Sequence, residues 1–375
     1  MAYWFLRLKK KYMLYYIDQS IVESVKEKNE NAIGFLQELG YAWQFGQCFV
    51  SASRSSFIEL MKIDELKSQY YLIEKYAQGV HSLYESLDFF IVLVTNGAHV
   101  HSLQQYANKF VVVDIAEYHD IKQIHNNYLV CENVRDCEFY TLCTKQLLSA
   151  KLGSSYQLNI LNGNGGGGSI VEVLQNYTDY PCLSICDSDM KYPLCKIGQT
   201  LEDVINYFKT QHGRRQWLYG LQVHELENLI PLYILEHARN SRLHKARMNK
   251  LKTIIGNING NLFLKYFDLK KGFRDKLLLE INEKDNSFFS ICNHILLCLG
   301  KKQKEISKII AKGEASDLEL VSGFGEDIFN DTLDYIKNNY IAPNLWKLQD
   351  YQEHDLNNIA NKVWSLGCAM QKRRL

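Results

Sequence analysis

Short apolar runs alternate with helical patterns through residues 126–240, and this alternation restricts the fold more than any other feature of the sequence. The runs predicted as strands are Tyr128–Cys131, Gln157–Leu161, Pro181–Cys186 and Trp217–Val223. The segments predicted as helices between them are Phe139–Leu148, Ile170–Leu174 and Leu201–Phe208. Short strands separated by helices are typical of a mostly parallel α/β sheet, in which the carboxyl ends of the strands carry the functional side chains.

The chain has 375 residues, which at roughly 150 residues per domain predicts two or three domains. We predict an N-terminal α/β domain over residues 1–125, a catalytic domain over 126–240 and a mostly helical basic domain over 241–375. The N-terminal strands are expected at Leu14–Ile17, Phe89–Thr95 and Phe110–Val113. Leu356, Ile359, Val363 and Leu366 recur at helical spacing, which predicts an amphipathic C-terminal helix in a core or at an interface.

A formal net charge of +1 conceals an uneven distribution of charge. Residues 126–240 carry 9 Lys or Arg against 12 Asp or Glu, whereas residues 241–312 carry 16 against 6. A basic block can neutralise the phosphates of a nucleic acid, although charged helices are often only solvated faces. The residues predicted to bind nucleic acid are Arg214, Arg215, Lys245, Arg247 and Lys250.

Acidic residues follow three of the four predicted strands. Glu132 and Asp136 follow the first strand, Asp187 and Asp189 the third, and Glu225 and Glu227 the fourth. Carboxylates that meet at one edge of a parallel sheet repel each other, and a hard divalent cation such as Mg²⁺, or Mn²⁺ in its place, relieves that repulsion. Each pair taken alone is also compatible with a solvated strand end or a helix cap, and that alternative stays open.

A glycine-rich turn, Asn162–Ser169, lies between the second predicted strand and a helix. Glycine lets backbone amides approach a phosphate closely, so Gly165, Gly166, Gly167 and Gly168 are predicted to bind phosphate. The turn does not have the Gly-Lys-Ser/Thr ending of a Walker loop. A flexible surface turn is the alternative.

The order of a strand ending at Glu132, a glycine-rich turn, and a strand ending at Asp187-Ser188-Asp189 resembles the TOPRIM domain. That domain occurs in topoisomerases, bacterial primases and nucleases of the overcoming-lysogenisation-defect type. The segment from His224 to Asn228 resembles an acidic element of small TOPRIM nucleases in phage-defence systems. Asn133 stands where a glycine often follows the first Glu, and Asp189 is not followed by Ala-Gly; both departures favour the nuclease branch.

The resemblance implies a nuclease in which Glu132, Asp187 and Asp189 bind Mg²⁺. It further implies that Asp136 and Glu225 or Glu227 complete a second metal position, and that Lys191 balances charge in the transition state. Two metal ions would stabilise the attacking water and the leaving oxygen of a phosphodiester. The expected substrate is DNA or RNA, and the expected biological role is that of an anti-phage toxin effector.

The ten cysteines lie mostly inside apolar strand or helix patterns, which favours free thiols and a cytoplasmic protein. No apolar segment is long enough to span a membrane, so no membrane association is expected. Nuclease TOPRIM modules are often tied to an ATPase, and this chain contains no Walker motif, so the resemblance implies an ATPase or sensor in a partner protein. A homodimer is a further option. Two alternatives stay open. The TOPRIM-like module binds nucleic acid or a partner without catalysis, or the N-terminal segment is a PIN-like ribonuclease that uses Asp18 and Glu59, with Asn96 where another acid is wanted.

Overall fold

The computed structural model describes residues 13–77, 87–100, 103–152, 156–210 and 215–370. The described chain divides into two compact units. The first comprises residues up to Ile185, Asn206–Tyr219 and the segment from Asn358 onward, and the second comprises Cys186–Ile205 and Gly220–Asn357. These two units interleave along the sequence, whereas the predicted domains follow one another, so the units do not test the predicted boundaries. The division into three domains stays a prediction. Among the described helices, none has the length and apolar character needed to cross a membrane.

The N-terminal part alternates strands and helices. Its elements are β1 (Leu14–Ile17), α1 (Gln19–Lys26), α2 (Glu30–Gln44), β2 (Phe49–Ala52), α3 (Arg54–Leu60), α4 (Asp64–Ala77), β3 (Phe90–Val94), β4 (Phe110–Asp114) and α5 (Lys122–His125). The four strands form one parallel sheet in the order β2-β1-β3-β4. Strands β1, β2 and β3 are buried throughout, which is typical of a parallel sheet covered on both faces.

A polar side chain directly before each of α1, α2 and α3 caps that helix and fixes where it begins. The side chains of Asp18, Asn29 and Ser53 accept hydrogen bonds from the backbone N–H groups of Ser20, Ala32 and Ser56, respectively. Such caps satisfy backbone donors that have no partner inside the helix. The core beside this sheet contains Leu14 and Phe90, together with Trp364 from the C-terminal segment.

The central part forms a second parallel sheet. Its elements are β5 (Tyr128–Cys131), α6 (Val134–Leu152), β6 (Tyr156–Leu158), β7 (Leu161–Asn164), α7 (Ile170–Asn176), β8 (Cys182–Cys186), α8 (Gln199–Thr210) and β9 (Gln216–Gly220). The strand order is β7-β5-β8-β9, and β5 pairs in parallel with both β7 and β8. The predicted α/β class with a mostly parallel central sheet is thereby confirmed.

Two predicted strands differ from the observed ones. The apolar run Gln157–Leu161 is divided between β6, which pairs antiparallel with a C-terminal strand, and β7, which joins the central sheet. The predicted strand Trp217–Val223 ends earlier, because β9 stops at Gly220. After that point the backbone N–H of Leu221 donates to Cys186 and that of His224 to Lys265, so the chain leaves the sheet.

The C-terminal part is mostly helical, as predicted. Its elements are α9 (Leu232–His237), α10 (Arg242–Ile255), α11 (Gly260–Lys265), β10 (Gly272–Arg274), α12 (Asp275–Lys284), α13 (Asn286–Cys298), α14 (Gln303–Lys312), β11 (Glu319–Ser322), α15 (Ile328–Asn338), α16 (Asp350–Gly367) and β12 (Cys368–Met370). Strands β10 and β11 form an antiparallel pair that the sequence analysis did not predict. Helix α16 confirms the amphipathic C-terminal helix, since the four apolar residues that predicted it are fully buried.

Candidate functional site

Glu132 and Asp187 each directly follow a strand of the central sheet. Glu132 comes after the last residue of β5, and Asp187 comes after the last residue of β8. The two strands are neighbours and run in parallel, with Leu129 opposite Leu183. Each strand thus ends in a half-buried carboxylate at the carboxyl edge of the sheet, where the sequence analysis predicted acidic residues.

The loop after β8 holds Asp187 and Asp189 in different ways. Oδ1 of Asp187 accepts a hydrogen bond of 3.1 Å from the backbone N–H of Leu226. Asp189 has a φ of 54°, a left-handed conformation that few residues other than glycine adopt, and its N–H donates to the carbonyl of His224. An extended segment would direct the side chains of Asp187 and Asp189 to the same side, and the left-handed backbone at Asp189 interrupts that conformation.

Gly198 makes room for the Asp189 carboxylate. A Cβ atom at position 198 would lie 2.1 Å from Oδ2 and 2.7 Å from Cβ of Asp189, closer than real contacts allow. The N–H of Gly198 also donates to the carbonyl of Ser188. The hydroxyl of the buried Ser188 donates to the carbonyl of Val223, which ties this loop to the segment that carries Glu225 and Glu227.

Lys270 pairs with both acids of the segment after β9. Its Nζ lies 2.7 Å from Oε2 of Glu225 and 3.4 Å from Oε1 of Glu227. The side chains of the two acids are 13% and 9% exposed, so the three charges interact with little screening by water. Lys270 therefore supplies a positive charge among carboxylates that the sequence analysis assigned to a metal ion.

The pKa values of this group follow from burial and distance. Burial raises the pKa of Glu227 from 4.5 to about 7, and the attraction of Lys270, which lowers that pKa, only partly offsets the effect. The carboxylates raise the pKa of Lys270 although burial lowers it, so the lysine stays charged. The ammonium is closer to Glu225 than to Glu227, and Glu227 thus receives less compensation for its burial.

One cluster among the described residues has the spacing of a metal site: His224, Glu225 and Asp268. Each offers one ligand atom, and these atoms all lie within 4.8 Å of one another. Of the five predicted metal ligands, this cluster contains Glu225 and none of the other four. His224 and Asp268 were not predicted as ligands.

An open cleft of about 210 Å³ borders this cluster and lies within the second unit. His224 and Asp268 form part of its wall. The basic residues that line it are Lys191, Lys271, Arg274 and Lys276. Arg274 is paired with Asp317 on the same wall. The structure thus brings Lys191, a predicted site residue, to a cleft with three further cationic side chains from the region around β10.

Two backbone N–H groups of the glycine-rich turn donate hydrogen bonds to other groups of the protein. The N–H of Gly165 donates to the carbonyl of Cys131, and the N–H of Gly166 donates to the side chain of Asn164. Gly165 is packed tightly, since a Cβ there would lie 2.7 Å from both the Cys131 oxygen and a side-chain carbon of Ile170. These two glycines therefore connect β7 to the end of β5, and their amides are directed at the protein. The placement of Gly167 and Gly168 leaves their predicted role open.

Two predicted site residues, Asp136 and Arg215, make contacts within the protein that explain their presence. Oδ2 of Asp136 accepts the N–H of Asn133 at the start of α6, which is the role of an acid in the first turn of a helix. Arg215 is 3% exposed, and its guanidinium lies 4.3 Å from the ring centre of Tyr118. Both placements favour a stabilising role over contact with a substrate.

The other predicted nucleic-acid-binding residues lie on α10 or beyond the described part of the chain. Lys245 and Lys250 are exposed on α10, and Arg247 is half-buried on the same helix. Arg214 lies outside the described residues. Lys245 also lines a separate cavity beside α9, so the basic face of α10 remains accessible to a ligand.

The acids of the PIN-like alternative have local structural partners. Asp18 caps α1, and Glu59 forms ion pairs with Lys26 and Lys62 at 3.1 and 2.7 Å. Asn96 adopts a positive φ of 54° at the turn after β3. These contacts account for the residue types at positions 18 and 59 without a metal ion.

Sequence reasoning missed Lys270, Asp268 and His224. Lys270 and Asp268 lie in a block of 16 basic and 6 acidic residues, where nothing in the sequence distinguishes a paired lysine from a solvated one. His224 did carry a signal, since it directly precedes Glu225 in the segment already singled out. Comparison with known proteins adds no assignment: no family model, no curated protein and no solved structure matches this chain.

Proposed function

We propose that this chain is a Mg²⁺-dependent nuclease of the TOPRIM type that cleaves phosphodiester bonds in DNA or RNA. The observation that carries the proposal is the position of Glu132 and Asp187 directly after β5 and β8, two strands that pair in parallel. Acids at the carboxyl ends of neighbouring parallel strands are well placed for catalysis in an α/β fold.

The proposed ligands of Mg²⁺, which Mn²⁺ can replace, are the three that the resemblance implies, Glu132, Asp187 and Asp189. Among the described residues these three do not form a cluster with metal-site spacing. Their carboxylate oxygens are the donors that Mg²⁺ prefers. When bound, the metal supplies stabilisation of the attacking and leaving oxygens of the phosphodiester. Glu225 and Glu227 are available to the same chemistry only in competition with Lys270, whose ammonium lies 2.7 and 3.4 Å away from them.

The proposed substrate path is the cleft that carries Lys191. Its lysines Lys271 and Lys276 are exposed, and cationic side chains along a groove bind the phosphates of a nucleic acid with little dependence on sequence. Lys191 then offsets negative charge that develops during cleavage. Lys245 and Lys250 on α10 supply further exposed positive charge in the same unit.

Cleavage assays test the proposal. The protein is incubated with duplex DNA, single-stranded DNA and tRNA, with Mg²⁺ or with EDTA. We expect cleavage that requires the metal and that Glu132→Gln abolishes. The matched control is Glu172→Gln, which removes an exposed acid from the first turn of α7 and should cleave like the wild type. Equal cleavage by the wild type and Glu132→Gln rules the assignment out.

Binding without catalysis is the second candidate, and the ion pairs of Lys270 favour it. An internal ammonium that neutralises two carboxylates removes part of the need for a metal ion in that segment. The discriminating variant is Asp187→Asn. If it retains both nucleic-acid affinity and protection of cells from phage, the binding role replaces the nuclease.

We further propose that the protein acts in the cytoplasm as an anti-phage effector, with a separate ATPase or sensor as its partner. This part rests on the resemblance to small TOPRIM nucleases of defence systems. Plaque assays with cells that express the wild type or Glu132→Gln test it. Loss of protection in the variant supports an effector role, and equal protection contradicts it.

A further inference from the structure

His224, Glu225 and Asp268 combine an imidazole with two carboxylates in one place. His224 and Glu225 follow β9, and Asp268 follows α11, so two separate segments of the second unit supply the three side chains. Their ligand atoms lie within 4.8 Å of one another. Bonds of about 2.0–2.2 Å from one metal ion hold two ligand atoms at most about 4.4 Å apart, so small side-chain shifts bring these three groups onto one ion.

The His224 ring is buried without the hydrogen bonds that a buried imidazole usually makes. Its side chain is 4% exposed, and Nδ1 has no hydrogen-bond partner among the residues that the structure describes. Nε2 lies 3.6 Å from Oε1 of Glu225, which is beyond hydrogen-bond distance. A buried polar atom without a partner is unfavourable, and coordination of a metal ion is one way to satisfy such a ring.

The two carboxylates are each held by one oxygen. Oε2 of Glu225 is paired with Lys270, while Oε1 lies 3.6 Å from Nε2 of His224. Oδ1 of Asp268 accepts a hydrogen bond of 2.7 Å from the backbone N–H of Lys271. Such outer contacts orient the side chains of a metal site and raise its affinity.

We propose that His224, Glu225 and Asp268 bind one divalent transition-metal ion, of the class of Mn²⁺ and Zn²⁺, in preference to Mg²⁺. An imidazole ligand favours transition metals, whereas Mg²⁺ prefers an all-oxygen set. Three protein ligands leave coordination positions for water or substrate, as in catalytic metal sites. His224 and Asp268 line the open cleft, which gives the ion a route of entry.

This site goes beyond the proposed nuclease, because it uses two residues that the Mg²⁺ ligand set does not contain. Its occupancy is measured directly, without any cleavage assay. A chain that binds the transition metal but cuts no nucleic acid would refute the nuclease and leave this metal site intact. A chain that cuts with Mg²⁺ but does not bind the transition metal at these residues would refute this metal site and leave the nuclease intact.

The experiment titrates the full chain with Mn²⁺, followed by the electron paramagnetic resonance of the free ion, in a buffer with excess Mg²⁺ that fills all-oxygen sites. We expect one Mn²⁺ site that survives the excess Mg²⁺ and that Zn²⁺ displaces. His224→Gln and Asp268→Asn should each weaken Mn²⁺ binding more than about tenfold, since even loss of an outer partner costs about 10–100-fold. His237→Gln, which changes an exposed histidine on α9, is the matched control.

Two results would overturn the proposal. One is a wild-type chain whose Mn²⁺ binding disappears entirely in excess Mg²⁺, and the other is unchanged Mn²⁺ affinity in both His224→Gln and Asp268→Asn. Circular dichroism accompanies each titration, so that a misfolded variant is recognised. If His224→Gln does not fold, Asp268→Asn decides, because Asp268 is only half-buried and its replacement keeps the side-chain shape.

Discussion

Nζ of Lys270 lies 2.7 Å from Oε2 of Glu225, and the two side chains are 21% and 13% exposed. The pair joins the turn before β10 to the segment after β9, so it connects the cationic cleft to the acidic residues beside it. Lys270→Met keeps the aliphatic chain but leaves Glu225 and Glu227 without their cation. Because removing one partner of a buried ion pair leaves an uncompensated charge, we expect a loss of about 2–4 kcal/mol in the free energy of unfolding, measured in urea.

Lys284→Met is the control for that substitution. Lys284 pairs with Glu280 at 2.9 Å and at helical spacing, but its side chain is 58% exposed. Exposed pairs of this kind contribute about 0.3–0.5 kcal/mol. A Lys270→Met variant that is destabilised no more than Lys284→Met would show that Lys270 does not stabilise the acidic segment.

Glu227 should make stability depend on pH in an unusual direction. Its pKa in the folded protein is raised to about 7, above an ordinary value of 4.5, because the carboxyl is buried. Between these values the folded chain binds the Glu227 proton more tightly than the unfolded chain, so this group stabilises at low pH and the contribution is lost as pH rises to about 7. The free energy of unfolding of wild type minus that of Glu227→Gln should therefore fall from pH 5 to pH 7. A difference that is constant or rises over this range would contradict the raised pKa.

Asp189 should lower stability through its backbone conformation. Its φ of 54° is strained for a residue with a Cβ and relaxed for glycine. Asp189→Gly and Asp189→Ala both remove the carboxylate, but only the glycine relieves the strain. We expect Asp189→Gly to be more stable than Asp189→Ala by about 1 kcal/mol in urea unfolding. Both should lose Mg²⁺-dependent cleavage if Asp189 is a metal ligand, and equal stability of the two would exclude a strained backbone.

Arg215 and Lys245 should separate stability from nucleic-acid binding. Arg215 is buried with its guanidinium over Tyr118, so Arg215→Ala should lower the free energy of unfolding by about 2 kcal/mol through lost packing and lost cation–π attraction.

Lys245 is exposed on α10, so Lys245→Gln should change stability by less than about 0.5 kcal/mol. It should also reduce the slope of log affinity for DNA against log salt concentration by about one. Fluorescence anisotropy with a labelled oligonucleotide at several salt concentrations measures the second effect. Unchanged salt dependence would remove Lys245 from the binding surface.

Gly165 and Gly168 form a matched pair in the glycine turn. A Cβ at Gly165 would lie 2.7 Å from the carbonyl oxygen of Cys131, whereas no atom in the described part of the chain lies within 4 Å of one at Gly168. Gly165→Ala should destabilise the protein by about 1–3 kcal/mol, because the backbone that joins β7 to β5 must move. Gly168→Ala should have little effect on thermal unfolding. If Gly165→Ala is as stable as the wild type, the close approach of Gly165 to the carbonyl of Cys131 is not required.

Local pattern was sufficient for the parallel sheet and for its acidic strand ends. Apolar runs of a few residues, such as those that became β5 and β8, are buried on both faces in a parallel sheet, and this makes them recognisable from composition alone. Glu132 and Asp187 could be located because a polar residue directly after such a run marks the end of the strand. The end of β9 was misplaced because Leu221 and Val223 are buried by other contacts after the strand stops.

Side-chain partners were decided by the tertiary structure. Lys270 meets Glu225 across 45 positions of sequence, and Asp268 meets His224 across 44, so no local pattern could pair them. The same reason applies to Arg215, where a basic residue next to an acidic segment turned out to be buried on Tyr118. The left-handed backbone of Asp189 depends on Gly198 and on the carbonyl of His224, which approach it only in the folded chain. The sequence by itself determined β5 and β8 and the acids that directly follow them, because burial periodicity is local. Which charges meet depends on contacts between distant segments, and only the tertiary structure decided that.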